Sequence, residues 1–518
     1  AGYKIIILLA GLTNSLRKQT QERLDESFIG KRSRFNERFP ELMPIMSYCH
    51  GHARYYPAFG TTRDTDFNSE ISRFGVSLHN LKDPIIFVTK KNKSILENLL
   101  KWIQGQRQDG RKISYPLLLI DDEADNASVN TNKDPSKSTA INNVIRHLLQ
   151  QFDRSSYVGY TATPFANIFI DPDTEDAMMG DDLFPRHFIK ALDPPTNYVG
   201  AKKVFSPNGD LRQQMLRKVI DYEDILPLKH KKDLDFEELP PSLFKAIRAF
   251  ILVRAIRILR EDGDRHCSMM INVSRFNDVQ AKIHDKVYEY QQTLDNAIKV
   301  NAGLGKAGLA DSSMKALKQT FDKEYSGIEF EFEDIQKVLI SASKTIKVRT
   351  VNMLGGNLDY EANKSKGLHV IAIGGLALSR GLTLEGLAIS YLLRNAAASD
   401  TLMQMARWFG YRRNYEDICR LYICESAIQH YEYIESAVEE LRDELKLMEA
   451  RQETPEEFGL KVRRSESGIL ITARNKMRSS TRMQLAESFD CRHVEGFALF
   501  NEIAVNDQNL AALCDFTA

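Results

Sequence analysis

The sequence predicts an α/β protein built on two parallel sheets, with a helical C-terminal region. Three observations support this. Short runs that are apolar on both alternating positions recur along the chain, as expected for parallel strands covered on both faces. Helical patterns lie between those runs, which is the alternation of βαβ units. The runs also fall into two groups separated by a proline-rich, charged stretch, so the chain is expected to form two sheets.

The first group places strands at Tyr3–Ala10, Pro84–Thr89, Tyr115–Asp121 and Tyr157–Tyr160, with helices over Asn14–Ser27, Ser94–Gln106 and Thr139–Phe152. The second places strands at Cys267–Val273, Leu368–Ile373, Leu387–Leu393 and Ile418–Ile423, with helices over Phe276–Leu294 and Asp400–Phe409. Between the groups, Pro194–Pro195, Pro207, Pro227, Pro240–Pro241 and the charged run from Lys229 to Glu238 mark a linker with an accessory element. A helix from Ser242 to Glu261 leads out of it. The expected domains are residues 1–195, a linker at 196–264, a second domain at 265–430 with an insertion at about 291–340, and a helical, basic region at 431–518.

Composition narrows the function classes. The 518 residues carry 70 Lys plus Arg against 70 Asp plus Glu, with 43% hydrophobic and 27% charged residues. That is ordinary globular composition and excludes a disordered or collagen-like chain. A neutral total also means that any nucleic-acid surface is a local patch. No run approaches the ~20 apolar residues of a membrane span. The six cysteines contain no CxxC pair, which argues against a zinc ribbon or a disulfide framework and for a reduced, cytoplasmic protein.

Four segments combine into a chemical pattern. In YPLLLIDDEAD (Tyr115–Asp125) a buried strand ends in Asp122-Glu123-Ala124-Asp125, where α/β sheets bind ligands. In a nucleotide hydrolase the first acid, Asp122, holds magnesium, and the next, Glu123, polarises the attacking water. In YVGYTATP (Tyr157–Pro164) a strand runs into Thr161 and Thr163, whose hydroxyls can relay between a phosphate site and a bound polymer; the plainer reading is a helix N-cap. In VIAIGGLALSRGLTLEGL (Val370–Leu387) Gly374 and Gly375 permit close approach to a ligand, and Ser379 or Arg380 can reach phosphate. In QMARWFGYRR (Gln404–Arg413) Arg407, Arg412 and Arg413 lie on or just past a short helix. Arginine is suited to stabilising a transferring phosphoryl group, although a basic helix end is the plainer reading.

The order of these segments and their division between two sheets resemble the superfamily 2 helicase and translocase engine. Asp122–Asp125 resembles its motif II, Thr161–Thr163 its motif III, Ser379–Gly381 its motif V, Gln404–Arg412 its motif VI and GLTNSLRKQ (Gly11–Gln19) its motif Ia. A closer resemblance is to the Z-one domain family, described as endonucleases. It is carried by Leu9–Asp25, Ile120–Thr131, Gly159–Asn167, Gly374–Leu387 and QMARWFGYRRNYEDICRLY, and extended by ITARNKMR (Ile471–Arg478). The resemblance implies two RecA-like domains with ATP and magnesium between them, in a restriction or phage-defence setting with DNA and possible defence-system proteins as partners. It implies Asp122, Thr161, Gly381, Glu385 and Gln404 around the nucleotide, and Glu123 with Arg407 and Arg412 in catalysis. Thr13, Arg17, Gln19, Ser379 and Arg380 are then expected on the nucleic-acid strand. Motif VI usually carries its second arginine three residues after the first, whereas here Arg412 follows Arg407 by five, so Arg407 is the better candidate for the arginine reaching the phosphate.

The phosphate loop, GxxxxGK[ST], does not occur; Gly30-Lys31 and Gly305-Lys306 lack the leading glycine and follow no strand. In the family this loop lies just upstream of the first strand, and the chain opens at Ala1 almost on that strand. The loop is therefore expected to be truncated, the rival being a naturally loop-less homologue, and these residues alone are expected to bind nucleotide poorly. Lys461–Met483 carries a net +6, including Arg474 and Lys476, and is the best basic patch for a nucleic-acid backbone. Cys49-His50-Gly51-His52 has no partner cluster for a metal, and His147 sits on a helix as a structural residue. No HNH pattern occurs, and the nearest ExK, Glu444–Lys446, falls on a charged helix. Two other classes remain open: a non-hydrolysing DNA-binding scaffold of a defence complex, and a nuclease with an unrecognised site.

Overall fold

The computed structural model describes residues 2–34, 58–68, 78, 81–132, 138–170, 175–176, 180–352, 358–375, 378, 383–394, 398–458, 470–472, 476 and 503–517. Residues 1–479 form one compact unit. The remaining unit, 480–518, is described as the helix Ile503–Thr517.

The first sheet contains β1 (Ile5–Ala10), β2 (Ala58–Phe59), β3 (Ile85–Thr89), β4 (Leu117–Asp122) and β5 (Ser155–Tyr160). They are all parallel, in the order β2-β3-β1-β4-β5. β3 is buried throughout and β1 nearly so, which explains their continuous apolar sequence. Helices Lys93–Gly105 and Ala140–Gln150 pack Leu96, Leu99, Ile103, Val144, Ile145 and Leu148 against Ile5, Ile7, Leu117 and Leu119. Asn92 starts the first of these helices by accepting a hydrogen bond from the Ile95 amide.

Two short antiparallel pairs follow: β6 (Glu175–Asp176) with β7 (Gly180–Asp181), and β8 (Tyr198–Val199) with β14 (Gly410–Tyr411). The second sheet is also parallel and has six strands: β9 (Leu216–Val219), β10 (Cys267–Asn272), β11 (Ile346–Val351), β12 (His369–Gly374), β13 (Leu387–Leu392) and β15 (Arg420–Cys424). Their order is β11-β12-β10-β13-β15-β9. The helix Pro241–Leu259 is buried on nearly every side over Leu243–Arg257, so it shows no clear apolar stripe.

The linker differs from its expectation. It supplies β9, which pairs with β15 and closes one edge of the second sheet. The expected insertion at 291–340 is mostly helical. The helix that begins at Asn277 runs on to Asn301, a tight turn spans Ala302–Ala310, and helices Ser312–Glu324 and Phe332–Lys344 pack back on the core. A strand not expected from sequence, β11, follows them. The last described part of the unit is the helix Glu425–Arg451 with residues 470–472 and 476.

Candidate functional site

The site begins at the carboxyl end of β4, where four acids meet two environments. Asp121 and Asp125 are buried, while Asp122 and Glu123 are exposed. Asp121 pairs with Lys91 at 2.6 Å, with both side chains fully buried, and accepts a 2.7 Å bond from the Tyr157 hydroxyl. That burial, together with the Asp121 charge, pushes the Tyr157 phenol well above its usual range. Lys91 also donates to the carbonyls of Glu123 and Asn126 at 2.7 and 3.1 Å, so a single ammonium shapes the whole turn. Asp125 accepts from Thr161 Oγ1 at 2.8 Å and Thr163 Oγ1 at 3.0 Å, and the Thr163 amide donates to Thr161 Oγ1. The like-charge repulsion expected of the acidic turn is therefore relieved within the protein for two of the four carboxylates.

The other two are displayed. Asp122 accepts from the Glu123 amide at 3.0 Å. Glu123 has φ +54, the left-handed region that a non-glycine residue enters at a cost and that recurs at functional turns. Gly11, at φ +64, turns the chain beside it in a conformation that favours glycine.

From the second lobe, the helix Ser399–Met405 leads to Arg407, just past its end, with Gln404 half-buried on its last turn. Burial pushes the Arg407 guanidinium below its usual range, while the Glu123 charge opposes that shift. The two groups thus lie within reach of each other's field, one from each lobe. Arg412 has a different position. It is buried and donates to the carbonyls of Tyr411, Arg407 and Trp408 at 3.1, 3.2 and 3.1 Å, so it clamps the loop that presents Arg407.

The residues expected on nucleic acid are divided. Thr13 caps the helix Asn14–Leu24 by accepting from the Leu16 amide. Arg17, 1% exposed, donates to the carbonyls of Thr62 and Arg63 and lies 3.8 Å from Asp66, which holds it inside the first lobe. Gln19 reaches across to Thr383 of the second lobe at 3.4 Å. Lys476 lies half-buried between Asp400 and Asp125, at 3.1 and 3.9 Å. Ser379, Arg380, Gly381, Arg474, most of the basic patch and Cys49–His52 lie outside the described residues. Glu385 stands 3.6 Å from His266, and its carbonyl accepts from Ser268 at the start of β10; this is the amino edge of the sheet, opposite the end that leads to Arg407. Lys446 of the ExK string pairs with Asp193 at 2.8 Å.

Sequence reasoning missed Lys91. The signal was a lysine two residues past a buried strand; the strand that ends in acids lies two places away in the sheet, with β1 between them, and that order is not legible in the sequence. Sequence reasoning also did not foresee the contacts of residues 470–472. Ser399 donates from its amide to the Leu470 carbonyl at 2.8 Å, and Thr472 Oγ1 donates to Asp400 Oδ2 at 3.3 Å. Ile471 packs with Phe165, Leu441 and Leu445. This segment therefore lies against both lobes.

Among the described residues no group of three or more His, Cys, Asp or Glu could hold a metal. Magnesium bound with a triphosphate needs only one or two carboxylates, so the exposed Asp122 is chemically suitable.

Fold and site together define a two-lobed parallel α/β protein with an acidic turn on one lobe whose Glu123 charge acts on an arginine of the other. Residues 242–470 match the Z1 domain model, which covers the helix Pro241–Leu259 from its second residue, the second sheet from β10 onward and the arginine loop. No curated protein matches the chain. Among the described residues no helix is long and apolar enough to cross a membrane.

Proposed function

We propose that the chain is a nucleotide-hydrolysing motor of the superfamily 2 type, with RecA-like lobes that remodel or translocate along DNA in a restriction or phage-defence setting. The observation that carries this reading is that the Glu123 charge acts on the Arg407 guanidinium, an acid of one lobe on an arginine of the other. Two exposed acids at the carboxyl end of a parallel strand, within the field of an arginine on a loop of the other lobe, suit a phosphoryl-transfer site that opens and closes.

In this reading Glu123 orients the attacking water and takes its proton. Arg407 balances charge on the transferring group, and Arg412 holds the Arg407 loop in place. Asp122 would hold magnesium, which supplies charge neutralisation to a bound triphosphate. Thr161 and Thr163 tie the segment after β5 to Asp125, so a shift in that segment is felt at the acidic turn. Gln19 and Thr383 mark a face where both lobes could meet a nucleic-acid strand.

The test is magnesium-dependent ATP hydrolysis by the full natural chain, with and without duplex DNA. Turnover stimulated by DNA and abolished by Glu123→Gln is expected. Full turnover in Glu123→Gln rejects the assignment. DNA binding without any turnover favours a scaffold, and plasmid cleavage favours a nuclease.

A further inference from the structure

A second site is built into the second lobe alone. β10 is followed in the chain by strands on one side of it, β11 and β12, and the chain then crosses to β13 and β15 on its other side. The crevice beyond the carboxyl ends of β10 and β13 is therefore a topological switch point, where open parallel sheets bind ligands. A cavity of about 490 Å³ lies there, lined by Val273–Phe276 after β10, Arg394 after β13 and Leu228–Lys231 from the linker. That volume falls in the range of small-molecule pockets, roughly 300–1,000 Å³.

Its charge is one-sided. Lys229, Lys231, Arg275 and Arg394 line the cavity and no carboxylate does. Among the described residues none of the four forms an ion pair. The Nη1 of Arg394 is buried without a hydrogen-bond partner. Burial, and then the charge of Arg275, lower the Arg394 pKa. Two guanidiniums facing one cavity without an acid repel each other, and an anion relieves that repulsion.

The remaining walls are fixed. His230 donates from Nδ1 to the Pro227 carbonyl at 2.6 Å and meets Ser274 Oγ through Nε2 at 2.8 Å, which pins the lysine-bearing loop to the end of β10. Arg275 lies 4.8 Å over the Phe276 ring. The 25-residue helix Asn277–Asn301 opens beside the cavity with no side-chain cap, so its first amides also face that end.

We propose that this cavity binds a mononucleotide-sized phosphorylated ligand, independently of the Glu123–Arg407 pair. Arg394 and Arg275 hold the phosphate, the two linker lysines close over it, and Phe276 offers an apolar surface to the rest of the ligand. Neither Asp122, Glu123 nor Arg407 lines the cavity, so the site stands whether or not the chain hydrolyses nucleotide.

The experiment is calorimetric titration of the chain with AMP in the absence of magnesium. Saturable binding is expected. Arg394→Gln is expected to weaken it by about tenfold or more, as for loss of a charge-assisted pair, and Arg407→Ala to leave it unchanged. The double change Lys229→Ala, Lys231→Ala, on an exposed loop, is expected to weaken it several-fold, and decides the matter if Arg394→Gln fails to fold. No binding at millimolar AMP by the folded chain overturns the proposal. So does binding that survives the arginine and lysine changes but is lost in Arg407→Ala. A short single-stranded DNA that binds through Arg394 and that AMP cannot displace also overturns it, by assigning the cavity to a nucleic-acid backbone.

Discussion

The half-buried Lys476 ammonium lies 3.1 Å from Asp400 Oδ2 and reaches Asp125 Oδ2 at 3.9 Å. Asp400 lies in the first turn of the helix that leads to Arg407, and Asp125 belongs to the acidic turn of the first lobe, so one cation from the C-terminal segment serves both. The side chains of Asp125 and Asp400 are only 6% and 7% exposed. Removing the lysine leaves two buried carboxylates without their shared charge. Lys476→Met is expected to cost about 3 kcal/mol in urea unfolding, somewhat softened because threonine hydroxyls still donate to both acids. Adding Asp400→Asn is expected to recover part of that loss. A cost below about 0.5 kcal/mol would rank the contact with surface ion pairs instead.

The Lys91–Asp121 pair is more deeply enclosed, with neither side chain exposed. Lys91→Met strands Asp121 and frees the Glu123 and Asn126 carbonyls. It is expected to destabilise the chain by about 3–5 kcal/mol. Lys91→Met with Asp121→Leu removes both charges and is expected to regain most of the loss. If the double variant is no more stable than the single, the pair is not the main support of the turn.

His369, at the start of β12, is 5% exposed and bonded to Thr345 Oγ1 at 2.8 Å. Burial, aided by the Arg254 charge, lowers its pKa to about 4. The unfolded chain, with histidine near 6.5, therefore binds the extra proton first as pH falls. The contribution of His369 is complete above about pH 6.5 and is lost progressively towards pH 4, by about 3 kcal/mol in all. His369→Gln is expected to flatten the stability curve between those limits. An unchanged slope between pH 4 and 6.5 would refute the assignment.

Much of this fold is legible in the sequence, because eight strands fully or partly buried in the two sheets leave apolar runs of the right length. Three strands of these sheets escaped: the two-residue β2 at an edge of the first sheet, and β9 and β11, the edges of the second. The sequences of β9 and β11, LRKV and IKVRTV, are broken by charged residues, which in β11 alternate towards solvent, and show no continuous apolar run. At the site, Asp122 and Glu123 are visible as acids ending a buried strand. What the pattern could not show is which acids the protein neutralises for itself. Asp121 and Asp125 are matched by Lys91 and Lys476, which lie 30 residues before the first and 351 after the second. Arg17 and Lys476 were expected on nucleic acid because charge in a sequence carries no information about burial.

Arg407 and Arg412 make the separation of roles testable. They lie five residues apart and look alike in sequence, but Arg412 spends its donors on the loop carbonyls, while the Arg407 side chain lies in the field of Glu123. Arg407→Ala is expected to leave urea unfolding nearly unchanged and to lower ATP turnover of the full natural chain by about a thousandfold, the effect of losing a charge-balancing arginine. Arg412→Ala is expected to unfold earlier by about 1–3 kcal/mol, because several carbonyls lose their donor, and to lower turnover only as far as the loop is displaced. Arg412→Lys keeps the charge without the planar fork and is expected to resemble the alanine variant in stability. If Arg407→Ala costs more stability than turnover, Arg407 is a second clamp and the site lacks its charge-balancing residue.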